Sequence, residues 1–599
     1  MSKVPGAIRP LPFLTLLALL AALLWLSAAG IAAYPDYVWD DSYITYQYGR
    51  NLAEGFGLRY NATDPKPTEG FSSPIHVLVV AAGTVFGVDP LLLTRLVSIA
   101  CFVALPLLLG LLLARYTGSG WTDCAAVAAA LQLFWFVPEA TRYHLHLGME
   151  TFLFLLGVTL LLLWSLTEFD PGRARVSLRA RAALGCIAAV LVVLGRPEGV
   201  VLVPLSYLWI FLVRGVFLKN LDPGERRAFL RLALLAAAGI AGYFLVKKLS
   251  FGHFLPNPYY VKSGRGVWGY AGPLLPGLGA MREFLMVASP AALAAGLLLV
   301  CTRAPAAVKA VFALSAVPGL AMVVLYTRAL QEAAFHFRFI FPYLVYIHVS
   351  LAGAVCLGVS GSPRLRRMVP LAVGGVAIAT VLAVSPAVRG AAAQPIGWMR
   401  QTLEDPAGIW WVGLVIGKDL ARSGLGQRAA VATSMAGAIP WYSGMRLIDL
   451  MGLVTDELSG RESLTPERYW RFVESERPDV LISGLAPASA GYAVGSADPA
   501  LDVRRVAEGL RTGAGSEMSR YGDRRRMREM AQREMIFIRE HYFLGSAIEQ
   551  DKENWVFIYV RRDSPLRHQL YLPLATSAYA DNKTDLARFY RNDPRSLPR

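Results

Sequence analysis

PDYVWDDSYITYQYGRNLAEGFGLRYNATDPKPTEGFSSP, residues 35–74, lies between one hydrophobic run and a long series of others. Two adjacent carboxylates, Asp40 and Asp41, follow the first run directly. Acidic side chains at a membrane boundary are expensive unless something uses them. The residues after Asp41 read as a helix. Ile44, Tyr48 and Leu52 recur at i, i+4 and i+8, and Arg50 and Glu54 are spaced to pair on the opposite side. Gly55 and Gly57 then end it. The expectation is a short helix along the membrane surface, with the aspartates at its N-terminal end. A single Asp there is explained as a cap favoured by the helix dipole. Two, after Trp39 and before an aromatic helix, ask for chemistry.

Working outward, the apolar content sets the class. Hydrophobic residues make up 55% of the 599 and charged ones 17%, against about 25% charged in a soluble protein. The mean hydropathy is +0.43, and the apolar residues are gathered into long runs, so the chain is a polytopic α-helical membrane protein. The net charge of +16 is therefore sought first in cytoplasmic loops, not in nucleic-acid binding. Cys101, Cys124, Cys186, Cys301 and Cys356 all fall in or beside hydrophobic runs, with no metal-site spacing.

Leu11–Ala33 is long enough to cross about 30 Å of hydrocarbon, and Lys3 and Arg9 before it place the N-terminus in the cytoplasm. Its end, Ile31-Ala32-Ala33, resembles a signal-peptidase site, but the run is longer than a signal core and reads as an uncleaved anchor. Pro74–Val88 is short for a span and reads as a helix that dips into the membrane and returns. Further spans are expected at Leu91–Ala114, Cys124–Val137, Thr151–Leu166, Ala182–Leu194 and Val200–Val213. After these come Leu232–Val246, Phe284–Cys301, Ala306–Tyr326, Phe339–Val359 and Val369–Val388, about eleven in all.

Charge then orients the chain. Arg173, Arg175, Arg179 and Arg181 share one loop, and Arg214, Lys219, Arg226, Arg227 and Arg231 another. Arg364, Arg366 and Arg367 fall in a third, also on the inner side. This positive-inside pattern puts the outer loop 34–73 and residues 389–599 outside. The outer segments are rich in aromatics, His, Pro and isolated charges: HLHLGMET at 144–151, GRPEG at 195–199, FGHFLPNPYYVKSG at 251–264 and LQEAAFHFRF at 330–339. Aromatic interfacial belts account for part of this.

Residues 1–388 thus form a membrane domain and residues 389–599 an extracytoplasmic one. In the second, Ala429–Thr433, Arg446–Leu450, Asp479–Ser483 and Trp555–Val560 read as strands and Pro466–Glu476 as a helix, an alternation that suggests a small α/β domain. Arg504–Glu540 is basic and helical: a solvated face, or a contact with anionic polymer or lipid headgroups.

The motifs, taken together, resemble a known family. WDDSYITYQYGRNLAEGFGLRYN, TEGFSSP, GMET, GRPEG, PNPYYVK and AGAIPWYSGMRLIDLMGL occur in order over both parts of the chain. They resemble the GT-C superfamily of membrane glycosyltransferases, and within it the terminal arabinofuranosyltransferase branch of mycobacterial cell walls and its bacterial relatives. After the Ser-Pro that branch tends to have an aromatic, where this chain has Ile75-His76, a departure that bears on the acceptor.

The resemblance implies an enzyme of the bacterial inner membrane. It would move a sugar, arabinofuranose in that branch, from a polyprenyl-phosphate donor to a cell-envelope polysaccharide or glycoprotein. Such a donor has a good leaving group and needs positive charge near its phosphate more than a strong acid. Arg196, Lys262 and Arg338 are the outer cations, and Tyr259 and Tyr260 can donate hydrogen bonds. Interfacial snorkelling is the bland account of each cation. A carboxylate is the natural base for the acceptor hydroxyl. In related GT-C enzymes the first acidic residue of this loop is the usual base, which implies Asp40, with Asp41 positioning the acceptor. Glu69, Glu150 and Glu198 are further carboxylates on this side, Glu198 beside Arg196 and able to pair with it. His253, His144, His146 and His336 lie outside too, and His144-x-His146 is only a weak metal signal. No cofactor is specified beyond a divalent cation as a candidate. The competing classes are a lipid-linked sugar flippase, which should show repeats and polar sites near mid-membrane, and a non-catalytic envelope scaffold.

Overall fold

The computed structural model describes residues 10–33, 38–117, 120–136, 144–145, 147–169, 177–217, 221–261, 341–360, 409–460, 464–483, 524–549 and 555–570, with shorter stretches between 293 and 326.

In lipid every backbone group must be satisfied within the chain, so long apolar runs become helices. Six described helices are long and apolar enough to cross a membrane: Pro90–Thr117, Thr151–Phe169, Leu178–Gly195, Gly199–Val216, Pro223–Phe251 and Phe341–Val359. They match expected spans. The expected span Val369–Val388 and most of Phe284–Cys301 lie outside the described residues. The helices are labelled in chain order: α1 (Pro10–Ala33), α2 (Asp40–Ala53), α3 (Pro74–Val85), α4 (Pro90–Thr117), α5 (Trp121–Phe136), α6 (Thr151–Phe169), α7 (Leu178–Gly195), α8 (Gly199–Leu212), α9 (Pro223–Phe251) and the short α10 (Asn257–Tyr260). α11 (Val317–Tyr326) and α12 (Leu344–Ser360) follow among the described residues. Small residues set the closest approaches. A Cβ on Gly110 of α4 would overlap Ala125 of α5, and one on Gly185 of α7 would meet the Trp164 ring of α6. Leu109, Leu133, Phe152, Leu155, Leu161, Val192 and Leu202 belong to the main core.

At the ends of α6–α9 away from α2, four charges are locked together. Glu168 Oε2 accepts from Arg181 Nη1 and Arg214 Nη1, each at 2.9 Å. Glu225 accepts from both arginines in turn. Arg181 is 5% exposed and Arg214 2%, so these two loop cations are not lipid-facing charges but buried partners of two glutamates. Each arginine is from a different helix end, so the cluster ties four elements at one level.

α3 has 12 residues, about 18 Å, and cannot cross the membrane. Ser73 caps it, its Oγ accepting from the His76 N–H, and Pro74 occupies the first turn. Gly87, at φ 69°, turns the chain toward α4. A helix of this length followed by a turn is what the apolar run at 74–88 leads one to expect. α2 crosses α3 at Gly49, where a Cβ would overlap Val80.

The C-terminal region is a five-stranded sheet in the order β2-β1-β3-β5-β4, with β1 Ala430–Thr433, β2 Arg446–Asp449, β3 Val480–Ser483, β4 Tyr542–Glu549 and β5 Trp555–Arg561. β1 pairs parallel with β2 and β3, while β5 pairs antiparallel with β3 and β4. α13 (Ile409–Ala421) precedes the sheet, α14 (Ala438–Ser443) joins β1 to β2, α15 (Pro466–Glu476) joins β2 to β3, and α16 (Arg524–His541) leads into β4. Four strands and α15 fall within a residue of the sequence reading. β4 does not appear in that reading. Its register shifts between Leu544 and Ser546, so Gly545 breaks the alternation that marks a strand. Of the basic stretch 504–540, the part from Arg524 is helical and the rest lies outside the described residues.

Replacing Glu168 with Gln should leave Arg181 and Arg214 short of their shared carboxylate. Breaking one partner out of a buried ion pair costs about 3–5 kcal/mol. A clear fall in Tm in detergent is expected, and an unchanged Tm would show that the cluster is solvated.

Candidate active site

α2 begins at Asp40, with Trp39 as the residue before it, so Asp40 does not cap its own helix. Its carboxylate turns instead to the sheet region. Oδ1 accepts the N–H of Ala438 at 2.7 Å and Oδ2 that of Gly437 at 3.0 Å. These are the first amides of α14, and a carboxylate suits a helix start. Gly437 is a glycine for a reason: a Cβ there would overlap the Asp40 carbonyl. Asp40 is 7% exposed. Burial pushes its carboxyl up from 3.8 to about 7, the two amide bonds opposing and the Asp41 charge adding to the rise. Asp41, one residue on, is partly exposed.

The faces of α2 fix where it lies. Ile44 and Tyr48 pack with Tyr60, Phe71, Ile416, Val431, Leu447 and Val480 in one core. The apolar stripe read from the sequence thus faces the sheet region, not the bilayer. Tyr43 and Tyr46 share a second cluster with Val80 and Ala438. Tyr43 Oη lies 3.0 Å from Tyr442 Oη, and the Trp441 ring centroid is 6.0 Å from both Tyr43 and Tyr46. Arg50 does not pair with Glu54. It donates to Gln47 and lies 4.4 Å over the Trp441 ring, because the docked sheet region puts an aromatic face within its reach. Lys418 of α13 lies 5.4 Å over Tyr442. Past the end of α2, Tyr60 donates to the Ala436 carbonyl. The Asn61 side chain brackets Leu447, accepting its N–H at 2.8 Å and donating to its C=O at 3.0 Å. β2 is an edge strand, so Asn61 satisfies groups that an edge leaves open.

α2 also positions the carboxylate of the GMET motif. Ser42 Oγ donates to the Leu147 carbonyl at 2.6 Å, and Tyr46 Oη to that of Gly148 at 3.0 Å. Gly148 takes φ 71°, and a Cβ on it would overlap Tyr46 Oη. Two residues later Glu150 Oε1 accepts from Arg196 Nε at 2.9 Å, with both side chains 2% exposed. Glu198 is 3.6 Å from Arg196, the pairing its sequence position allows, but secondary to Glu150. Arg196 therefore meets two carboxylates.

A third buried group involves a residue missed in the sequence. Lys247 Nζ is 2.9 Å from Glu69 Oε1, and His253 Nδ1 is 3.9 Å from Glu69 Oε2. The Asn257 N–H donates to the Glu69 carbonyl at 2.9 Å, and its side chain to Asp456 at 2.8 Å. Lys247 follows an expected span, where a lysine reads as a snorkelling end residue, so only its partner marks it. Tyr260 lies 6.2 Å from the His253 ring. His144 is buried 4.6 Å from Phe341. Lys262, Arg338, His146 and His336 lie outside the described residues. Among the described residues no group of three His, Cys, Asp or Glu is placed to hold a metal ion.

His76, at the departure from the family pattern, stands in the first turn of α3, its ring 6.4 Å from that of Tyr46. It is buried, and neither ring nitrogen has a hydrogen-bond partner among the described residues. Burial pushes its imidazole down to about 4, with Glu150 opposing, so it is neutral at pH 7.

A family model described as a domain of unknown function (DUF8728) matches residues 411–582, the part that holds all five strands. A search of curated proteins finds no match. Among solved structures, ArnT from Cupriavidus metallidurans bound to undecaprenyl phosphate is similar, with a TM-score of 0.52 and 15% identity over 79% of this chain and 94% of that one. The same protein in the apo state gives 0.50 and 16% over the same shares. The apo oligosaccharyltransferase of Archaeoglobus fulgidus gives 0.45 and 13% over 79% and 70%. The likeness to ArnT is one of fold: a GT-C-like helical membrane protein with a C-terminal sheet region.

The burial of these groups has two measurable consequences. Asp449 at the end of β2 is pushed up to about 6 by burial, despite amide bonds from Val454 and Met451, and Asp40 to about 7. A carboxyl raised in the folded state contributes stability below its unfolded value, near 4, and loses it as pH rises through its folded value. The Tm should therefore fall between about pH 4 and pH 7, and Asp40→Asn should flatten the upper part of that fall. An identical pH profile in the variant would contradict the assignment to Asp40. The second concerns His76. Exchanging a buried, unpaired polar ring for an apolar one removes a penalty of about 1–3 kcal/mol. His76→Phe should raise the Tm, and a lower Tm would mean that the imidazole has a bound-water partner.

Proposed function

We propose that this chain is a glycosyltransferase that moves a sugar from a polyprenyl-phosphate donor to a cell-envelope glycan or glycoprotein. Arabinofuranose is the sugar to which the ordered motifs point. One observation carries the reading. The short helix α2 bears the Asp pair and, through Ser42 and Tyr46, also holds the loop that leads to Glu150 and Arg196. Acid–base groups and a cation are thereby gathered at one end of the bundle, in a fold shared with a protein solved with undecaprenyl phosphate.

The acceptor hydroxyl needs a base, and the Asp pair supplies one. The leaving phosphate needs positive charge. Arg196 alone does not provide a surplus, since Glu150 and Glu198 offset it. Lys247 is likewise offset by Glu69. Lys262 and Arg338, the other outer cations of the sequence, are then the residues proposed to meet the phosphate, with Tyr260 a further donor. The basic loops support an orientation in the bacterial inner membrane with the N-terminus inside and the Asp pair and sheet region outside.

The test uses the purified full chain in detergent with polyprenyl-phosphate arabinofuranose, mannose and glucose as separate donors and a synthetic arabinofuranosyl oligosaccharide as acceptor. Transfer from the arabinofuranose donor is expected. Lys262→Ala and Arg338→Ala should each raise the donor KM about tenfold to a hundredfold, the range for a lost charge-assisted hydrogen bond. Transfer from another donor alone would correct the sugar. No transfer from any would sink the enzyme reading.

A further inference from the structure

We infer that the two aspartates have different jobs: Asp40 docks the sheet region onto the site, and Asp41 takes the acceptor proton. The inference rests on the glycosyltransferase reading and deepens it. Both oxygens of Asp40 already accept backbone N–H groups from residues nearly 400 positions away. The residues beside those amides are also engaged with α2 and its loop: Ala436 with Tyr60, Trp441 with Arg50, and Tyr442 with Tyr43. Segment 436–442 is thus clamped along α2 and the loop after it, and Asp40 is the acidic part of the clamp. Asp41 is on the same turn, is partly exposed, and sits in the first turn of α2.

The docked segment gives the site a second wall. Trp441 and Tyr442 are only partly buried, and Tyr442 is joined to Tyr43, two residues from Asp41. Amphipathic rings with polar tips suit a sugar, whose C–H face packs on the ring and whose hydroxyls meet the tips. The acceptor glycan is the substrate that reaches the site from the sheet side. In the transfer, the acceptor oxygen bonds to C1 of the donor sugar while its proton passes to the Asp41 carboxylate. The C1–O bond to phosphate breaks, and its electron pair stays on the polyprenyl phosphate. Asp40 touches neither substrate; it is a positioning residue.

The experiment compares Asp41→Asn, Asp40→Asn and Ala438→Pro in the full chain with the same donor and acceptor probes. Pro at the first position of α14 removes one amide that Asp40 accepts but leaves the Asp40 carboxylate intact. Hydrogen exchange of the 436–443 peptide reports docking. Asp41→Asn should lower kcat by about a hundredfold or more with exchange unchanged. Asp40→Asn and Ala438→Pro should both speed exchange and raise the acceptor KM about tenfold or more, with kcat within about tenfold of the parent. The inference is overturned if Asp40→Asn loses about a hundredfold in kcat while the peptide stays protected. It is overturned too if Ala438→Pro speeds exchange and leaves the acceptor KM at the parent value, which also decides the matter should Asp40→Asn fail to fold. Parent-like transfer by Asp41→Asn defeats the inference but leaves the enzyme standing, whereas a parent chain inactive with every donor defeats the reading beneath it.

Discussion

The Asp40 carboxylate holds two amides of α14, and the rest of the outer architecture depends on that bond. A buried carboxylate without partners is unfavourable, whereas one that accepts two N–H bonds at a helix start is supported by charge-assisted bonds and by the helix dipole. The partners come from opposite ends of the chain, so the interaction exists only when the sheet region sits on the outer loop. Docking then buries Ile44 and Tyr48 in the sheet-side core, sets Tyr43 against Trp441 and Tyr442, and leaves Tyr46 toward α3 and α4. α2 is consequently a wedge between two bodies, with its polar N-terminal turn at their seam.

Charge is handled elsewhere by the same rule. Glu150 with Arg196, Glu69 with Lys247, and Glu168 and Glu225 with Arg181 and Arg214 are each buried and mutually offset. Breaking such pairs is costly, which makes them fixed points in a structure otherwise held by apolar contact. Two of them lie on the α2 side of the bundle and order loops; the third lies at the far ends of α6–α9 and ties helices. A buried arginine is therefore not automatically a substrate ligand. The carboxylates around Arg196 satisfy its charge within the protein.

His76 is the exception. A neutral imidazole sealed between α2 and α3 with neither nitrogen bonded among the described residues goes against the general satisfaction of buried polar groups. It belongs to the Ile75-His76 pair that follows the Ser-Pro, where the branch that the motifs resemble tends to have an aromatic. Local rules and tertiary setting disagree most where function or strain is found.

The sequence by itself determined the elements. Spans follow from apolar length, α2 from the Ile44, Tyr48, Leu52 spacing, and its end from Gly55 and Gly57. Four strands and α15 follow from the alternation of strand-like stretches with the helical stretch Pro466–Glu476. These signals are local, carried within one or two dozen residues, and survive without knowledge of the fold. β4 was lost because Gly545 interrupts its alternation. The site residues were legible as chemistry but not as partners. The resemblance implies Asp40 as the base and Asp41 as the positioning residue, Arg196 reads as an outer cation with Glu198 within reach, and Lys247 looks like a membrane-edge lysine. Only the tertiary structure decided that Asp40 bonds Gly437 and Ala438, that Arg196 faces Glu150, and that Lys247 meets Glu69. The physical reason is range: periodicity says that a face is buried but not against what, and a charge selects its partner by distance in space, which separations of 46 to 398 residues do not encode.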